Sequence, residues 1–139
     1  MKYLILMLIV ATSSIRASET PVDYEVPDVS IISLIANSKA FQNKIIRIKG
    51  YAIITPENCA VYLSKEYAQY FVSENAVWVD FGRDKNDNSD ATYEKKLKQL
   101  SKFSGKFVSV EGTFYAEKGR WNMFAGQLQD VKISVVDSH

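Results

Sequence analysis

The chain has 139 residues, with 17 Lys and Arg against 16 Asp and Glu, 47% hydrophobic residues, one cysteine and one histidine. That is the length of one ordinary domain, long enough to bury a core, and its near-neutral balance lacks the basic excess that binding along a phosphate backbone needs. A single cysteine rules out an internal disulfide, and a single histidine, His139 at the C-terminus, leaves no imidazole pair for metal binding or a proton relay.

Residues 1–18, "MKYLILMLIVATSSIRAS", place one lysine before an apolar run from Tyr3 to Ala11, followed by small residues. This order predicts an export signal over 1–17, cleaved after Ala17 with Ser13 as the alternative. Its roughly 9 apolar residues fall short of the about 20 that a membrane span requires. An anchoring N-terminal helix is the competing reading, and the run has neither a polar face nor a stop-transfer flank to support it. Removal of 1–17 takes away Lys2 and Arg16, which shifts the formal charge from +1 to −1. The expected address is the periplasm or the exterior.

Residues 18–28 are rich in proline and acidic side chains and predict an extended leader without its own core, so the domain is expected over 29–139. The segment 29–41 spaces Ile31, Ile32, Leu34, Ile35 and Phe41 as a short helix does, with Ser30 as its N-cap, and Asn43 turns the chain. A first strand over 44–55 then alternates Ile46, Ile48, Gly50, Ala52 and Ile54 on one face with Arg47, Lys49, Tyr51 and Ile53 on the other.

"TPEN" (55–58) reads as a turn, "CAVYLS" (59–64) as a second strand, "KEYAQYFVSEN" (65–75) as a Tyr-rich connection, and "AVWVDF" (76–81) as a third strand. After the polar stretch 82–90, "ATYEKKLKQLSKF" (91–103) carries Tyr93, Leu97, Leu100 and Phe103 at helical spacing and stops near Gly105. A fourth strand over 106–115, a turn at 116–120 and a fifth strand over 121–136, bent at Gly126, complete the chain.

"NKIIRIKGYA" at 43–52 recurs in altered form as "GKFVSVEGTF" at 105–114, keeping Lys44 and Lys106, two aliphatic positions, and Gly50 and Gly112. A glycine inside a strand permits the bulge or close backbone approach that sharp coiling demands. Three strands, a helix and two strands is the order of a five-stranded OB-fold-like Greek-key barrel, mainly β, with its helix between strands three and four and here a short N-terminal helix. Chance similarity between two β-rich segments is the alternative account of the repeat.

"GKFVSVEGTF", with "NAVWVDF" upstream and "FAGQLQDV" downstream, resembles a group of small exported bacterial proteins of OB-fold type and unassigned function, over roughly 29–136. The shared positions form the barrel and carry no chemistry, so the resemblance implies a fold and no catalytic residue.

The residues themselves also predict no enzyme. Cys59 has no histidine base to activate it and sits beside Ala60 and Val61, which favours burial. Asp80 and Glu111 could pair as carboxylates, yet no spacing requires them to meet. "DKNDNSD" sets Asp84, Asn86, Asn88 and Asp90 as a calcium loop would, but Ser89 stands where the turn glycine belongs and Lys95 where the bidentate glutamate belongs. The expectation is a solvated loop in which Ser89 or Asp90 caps the next helix, with no metal and no cofactor. Lys95, Lys96, Lys98, Lys102 and Lys106 lack the aromatic interleaving of a nucleic-acid surface and read as the wet face of that helix.

The aromatic residues remain as a clue. On the face opposite the aliphatic one lie Arg47, Lys49 and Tyr51, then Tyr62, then Trp78 and Asp80, with Arg120 and Trp121 at the turn before strand five placed to close over them. Adjacent and exposed, they would form a stacking platform with charged rims; covered by the N-terminal helix or by Tyr67–Phe71, they would be a satellite core. The expected function is a non-enzymatic binding module for a protein segment or cell-envelope component. A single-stranded nucleic-acid binder is the alternative, which charge and address oppose.

Overall fold

The computed structural model describes residues 24–82, 90–117 and 122–137. A short helix α1 (Ile31–Asn37) leads to β1 (Ile45–Ile54) and β2 (Cys59–Tyr62). Then come a second helix α2 (Lys65–Gln69), β3 (Ala76–Val79), helix α3 (Asp90–Leu100), β4 (Phe107–Tyr115) and β5 (Gln127–Val135). The strands close into a barrel in the order β1-β2-β3-β5-β4, antiparallel throughout except for the β3–β5 pair, which is parallel. The fold is therefore mainly β, and among the described residues no helix is long and apolar enough to cross a membrane.

The alternation of β1 sets the inside of the barrel. Ile46, Ile48, Ala52 and Ile54 are buried in one core with Val61, Val77, Val108, Val110, Phe114 and Leu128 from the other strands. Helix α1 starts at Ser30, whose hydroxyl accepts the Ser33 N–H at 3.0 Å, and it adds Ile31 and Leu34 to this core. Helix α3 adds Leu97, and the chain leaves its last turn through Gly105 at φ +77°.

Gly50 and Gly112 are places of close approach. A Cβ on Gly112 would stand 2.6 Å from the Gln129 carbonyl oxygen and 2.9 Å from Val131 Cγ1, beside a register shift between Glu111 and Thr113. A Cβ on Gly50 would run into the Tyr62 carbonyl oxygen and Val61 Cγ1. Each glycine lets the backbone of a neighbouring strand close in where a side chain would block it.

Three elements depart from the sequence expectation. The connection 65–75 contains α2, only five residues long and too short for hydrophobic periodicity to announce. Strand β5 begins at Gln127, so Gly126 is not a bend within it; a Cβ there would collide with the Phe114 ring. The end of the leader joins the barrel: Arg47 N–H donates to the Pro27 carbonyl at 2.9 Å, and Val29 N–H donates to the Arg47 carbonyl at 2.8 Å. The proposed signal 1–17, the loop residues Asp84, Asn86, Asn88 and Ser89, the turn residues Arg120 and Trp121, and His139 lie outside the described residues.

Candidate functional site: an aromatic cleft on the outside of the barrel

Strands β2 and β3 are buried on both faces. Cys59, Val61, Val77 and Val79 point into the barrel, so Ala60, Tyr62, Ala76 and Trp78 face outward by alternation. They form a second cluster with Ala68 of α2, Tyr51 and Ile53 of β1, and Phe124 of the segment before β5. Register brings these side chains together: Tyr51 lies opposite Tyr62, and Ala60 opposite Trp78.

The predicted platform is thereby divided. Tyr62 is only 1% exposed, packed in a cluster with Ala60, Ala76 and Ala68 of α2. Its ring is thus part of a satellite core. Burial pushes the Tyr62 phenol above its ordinary pKa, and the Asn58 amide, donating to its oxygen at 2.8 Å, offsets part of that rise. Trp78 is half-buried, with its ring centroid 5.4 Å from that of Phe124 at a tilt of 54°. Tyr51 is also half-buried.

The described charged members of the predicted site, Arg47, Lys49 and Asp80, are occupied elsewhere. Arg47 pairs with Asp28 at 3.3 Å and Glu111 at 3.1 Å, and Lys49 pairs with Asp28 at 3.0 Å. Hydrogen bonding from Lys49, aided by Arg47, holds the Asp28 carboxyl below its usual value, while Glu111 and Asp28 together raise Arg47. Asp80 accepts from Gly82 N–H at 2.8 Å and from Gln127 Nε2 at 3.2 Å, beside a separate polar cleft that includes Lys96 and Asp130.

A cleft of about 380 Å³ opens over Tyr62 and Trp78. Phe71, Met123 and Phe124 wall it, and Glu57, Asn58 and Ser73 supply its polar groups. A neighbouring cleft of about 390 Å³ shares Glu57, Asn58 and Phe71 with it, so these three residues form the ridge between two depressions. Phe71 is 66% exposed and Met123 56% exposed.

Phe71 holds an unusual conformation. Helix α2 is capped by Ser64 and ends with Val72 N–H donating to the Tyr67 carbonyl at 2.9 Å and Phe71 N–H to the Ala68 carbonyl at 3.3 Å. This Schellman ending places Phe71 at φ +51°, the left-handed position that glycine ordinarily fills. A bulky residue there costs on the order of 1–3 kcal/mol, a strain that structures tend to retain at working sites.

Asn58 is the second irregularity. Its amide nitrogen is committed to Tyr62, and its Oδ1 is buried with no hydrogen-bond partner among the described residues. Sequence reasoning missed Asn58, Phe71, Met123 and Phe124. The Asn-bearing turn "TPEN" was a visible signal, whereas the left-handed Phe71 carries no glycine to mark it.

Comparison with protein-family models, with curated proteins and with solved structures gave no match, so the site is read from its own geometry.

Proposed function

We propose that the protein is an exported, non-enzymatic binding module of the OB-fold kind that recognises a protein segment or cell-envelope component through the outer face of β1, β2 and β3. The closed order β1-β2-β3-β5-β4, with α3 between β3 and β4, supports the Greek-key barrel assignment. The observation that carries the functional reading is the aromatic cleft between the β1–β2 turn and the segment before β5, with a strained, exposed Phe71 on its rim. A concave apolar site with a few convergent polar groups is the usual form of a binding pocket.

Arg47 and Lys49 already hold Asp28 and Glu111, so the polar groups at the cleft are those of Glu57, Asn58 and Ser73. Among the described residues the cleft lining has no lysine or arginine, which argues against a phosphate-tracking ligand. The test is in-cell crosslinking and recovery of the full chain beside a Phe71→Gly/Met123→Ala variant with an equal folded fraction. A partner held by wild type and lost by the variant is expected; equal recovery from both rejects the cleft as the site. Binding that weakens steeply with salt would favour the single-stranded nucleic-acid alternative.

A further inference from the structure

Strand β1 is paired unevenly along its two sides. It meets β4 over Ile45 to Tyr51 but β2 only over Tyr51 to Ile54, which leaves its first half with an open side. Phe114 N–H donates to the Lys44 carbonyl and Ala52 N–H to the Lys106 carbonyl, each at 2.9 Å, so the even-numbered residues of β1 turn their peptide groups to β4. Ile45 and Arg47 therefore turn theirs to the open side. The leader takes up Arg47 there, as one parallel bridge with Asp28 opposite. It does not reach Ile45, whose N–H and C=O have no partner on this side among the described residues.

The sequence of the leader accounts for so short a contact. In a parallel strand the N–H that reaches the Ile45 carbonyl is that of residue 27, and Pro27 has none. Ser30 then caps α1, so the chain leaves the edge directly after Val29. What the leader does place on the edge alternates as a strand does. Val29 packs against the core, while Asp28 spans two cations, with Oδ1 at 3.3 Å from the Arg47 guanidinium and Oδ2 at 3.0 Å from Lys49 Nζ. Glu111 holds Arg47 from β4 at 3.1 Å, which keeps the guanidinium over the edge without help from the leader.

We infer that the open side of β1 is a docking edge for an extended segment of a partner protein, which adds as a parallel strand in place of the leader and sets an acidic residue opposite Arg47. An unpaired strand edge is a template for another main chain. Peptide groups repeating at the strand spacing are matched by a polypeptide and not by a phosphate backbone, so the edge and its two cations together select an acidic strand. The leader makes two main-chain bonds here; a segment with an N–H in the place of Pro27 makes four, two each at Ile45 and Arg47. The leader is thus a tethered competitor of a better-matched strand, and its attachment to α1 supplies the local concentration that lets so short a contact form. The edge is distinct from the aromatic cleft, and the inference does not depend on how that cleft is read.

The test titrates the isotope-labelled full chain with the blocked pentapeptide TVDVT, whose first valine stands where Pro27 does. TPDVT, which lacks that N–H, and TVNVT, which lacks the charge, are run beside it on the wild type and on Asp28→Asn. Asp28→Asn weakens the competitor, so saturable TVDVT shifts are expected there at the Ile45, Arg47 and Lys49 amides, with a dissociation constant below about 10 mM. Binding to the wild type is expected to be weaker by about threefold or more. TPDVT and TVNVT are each expected to bind at least about threefold less tightly than TVDVT. On saturation the Ile45 amide should gain hydrogen-exchange protection, while the Phe71 and Met123 amides stay unmoved.

Shifts at Arg47 and Lys49 without protection of Ile45, or equal binding of TVDVT and TVNVT, overturn the docking of an acidic strand. Equal affinity of the wild type and Asp28→Asn overturns the leader as its competitor. A short oligothymidylate that moves the same resonances as tightly as TVDVT overturns the inference in favour of a plain anion patch. Absence of any saturable shift in Asp28→Asn rejects the docking edge outright, and the cleft, tested by Phe71→Gly/Met123→Ala, stands or falls separately.

Discussion

Asn58 donates its side-chain amide to the Tyr62 hydroxyl at 2.8 Å, joining the β1–β2 turn to the floor of the aromatic cleft. The bond spans only four residues, yet it fixes the polar end of the cleft because Tyr62 is anchored in the satellite core. Tyr62→Phe keeps the ring and removes the partner, leaving the Asn58 amide nitrogen unsatisfied. The expected loss is about 1–3 kcal/mol of folding stability, read as a lower denaturant midpoint at unchanged slope. A stability equal to wild type would mean that water or another group satisfies the amide.

Gly112 is the sharper test of the barrel. Its position beside the Gln129 carbonyl leaves no room for a β-carbon, and the obstruction is backbone, which cannot swing aside as a long side chain could. Gly112→Ala is expected to cost about 1–3 kcal/mol, and Gly112→Val more, in thermal or denaturant unfolding. An alanine variant as stable as wild type would show that the β4–β5 register relaxes around the added methyl.

The contrast between these two sites shows what the sequence could disclose. The inner face of β1 was legible because Ile46, Ile48, Ala52 and Ile54 repeat with the period of a strand, and Gly50 and Gly112 recur in matching segments. The outward half of the barrel was not. Whether Tyr62 is open or covered depends on α2, whose few residues span little more than one helical turn and show no periodicity. The run 121–136 read as one strand bent at Gly126 because an isolated glycine inside a strand pattern is the mark of a bulge; the need of Phe114 for space against Gly126 is a contact between distant residues that no local pattern records. Arg47 and Lys49 read as a recognition rim because their ion partner Asp28 lies in a leader that composition marks as coreless.

Asp28 gives the leader a pH-dependent attachment. Its carboxyl is held below the ordinary value of 3.8, so the folded chain binds that proton less readily than the unfolded chain does. The contribution is therefore complete above the ordinary carboxylate range and is lost as pH falls through the lowered folded-state pKa. Hydrogen-exchange protection of the Val29 and Arg47 amides, which pair the leader with β1, is expected to be full above the ordinary carboxylate range and to fall as pH drops through the lowered pKa of Asp28. In Asp28→Asn the protection should be weaker at neutral pH and lose this acid step. An unchanged acid step in the variant would assign it to another carboxylate.

Cys59 supplies a probe of the same barrel from within. It is 1% exposed, and its thiol donates to the Thr55 carbonyl at 3.2 Å, so reagent reaches it only when β1 and β2 separate. A thiol buried in this way is inert toward oxidants in solution. In the native protein, labelling by a disulfide reagent is expected to be slow, and its rate should rise with denaturant in step with unfolding. Tyr62→Phe and Gly112→Ala should both accelerate labelling in proportion to their loss of stability, whereas Phe71→Gly should not. Fast labelling of the wild-type chain in the absence of denaturant would place the opening of the β1–β2 edge below global unfolding and make the thiol available for an intermolecular bond.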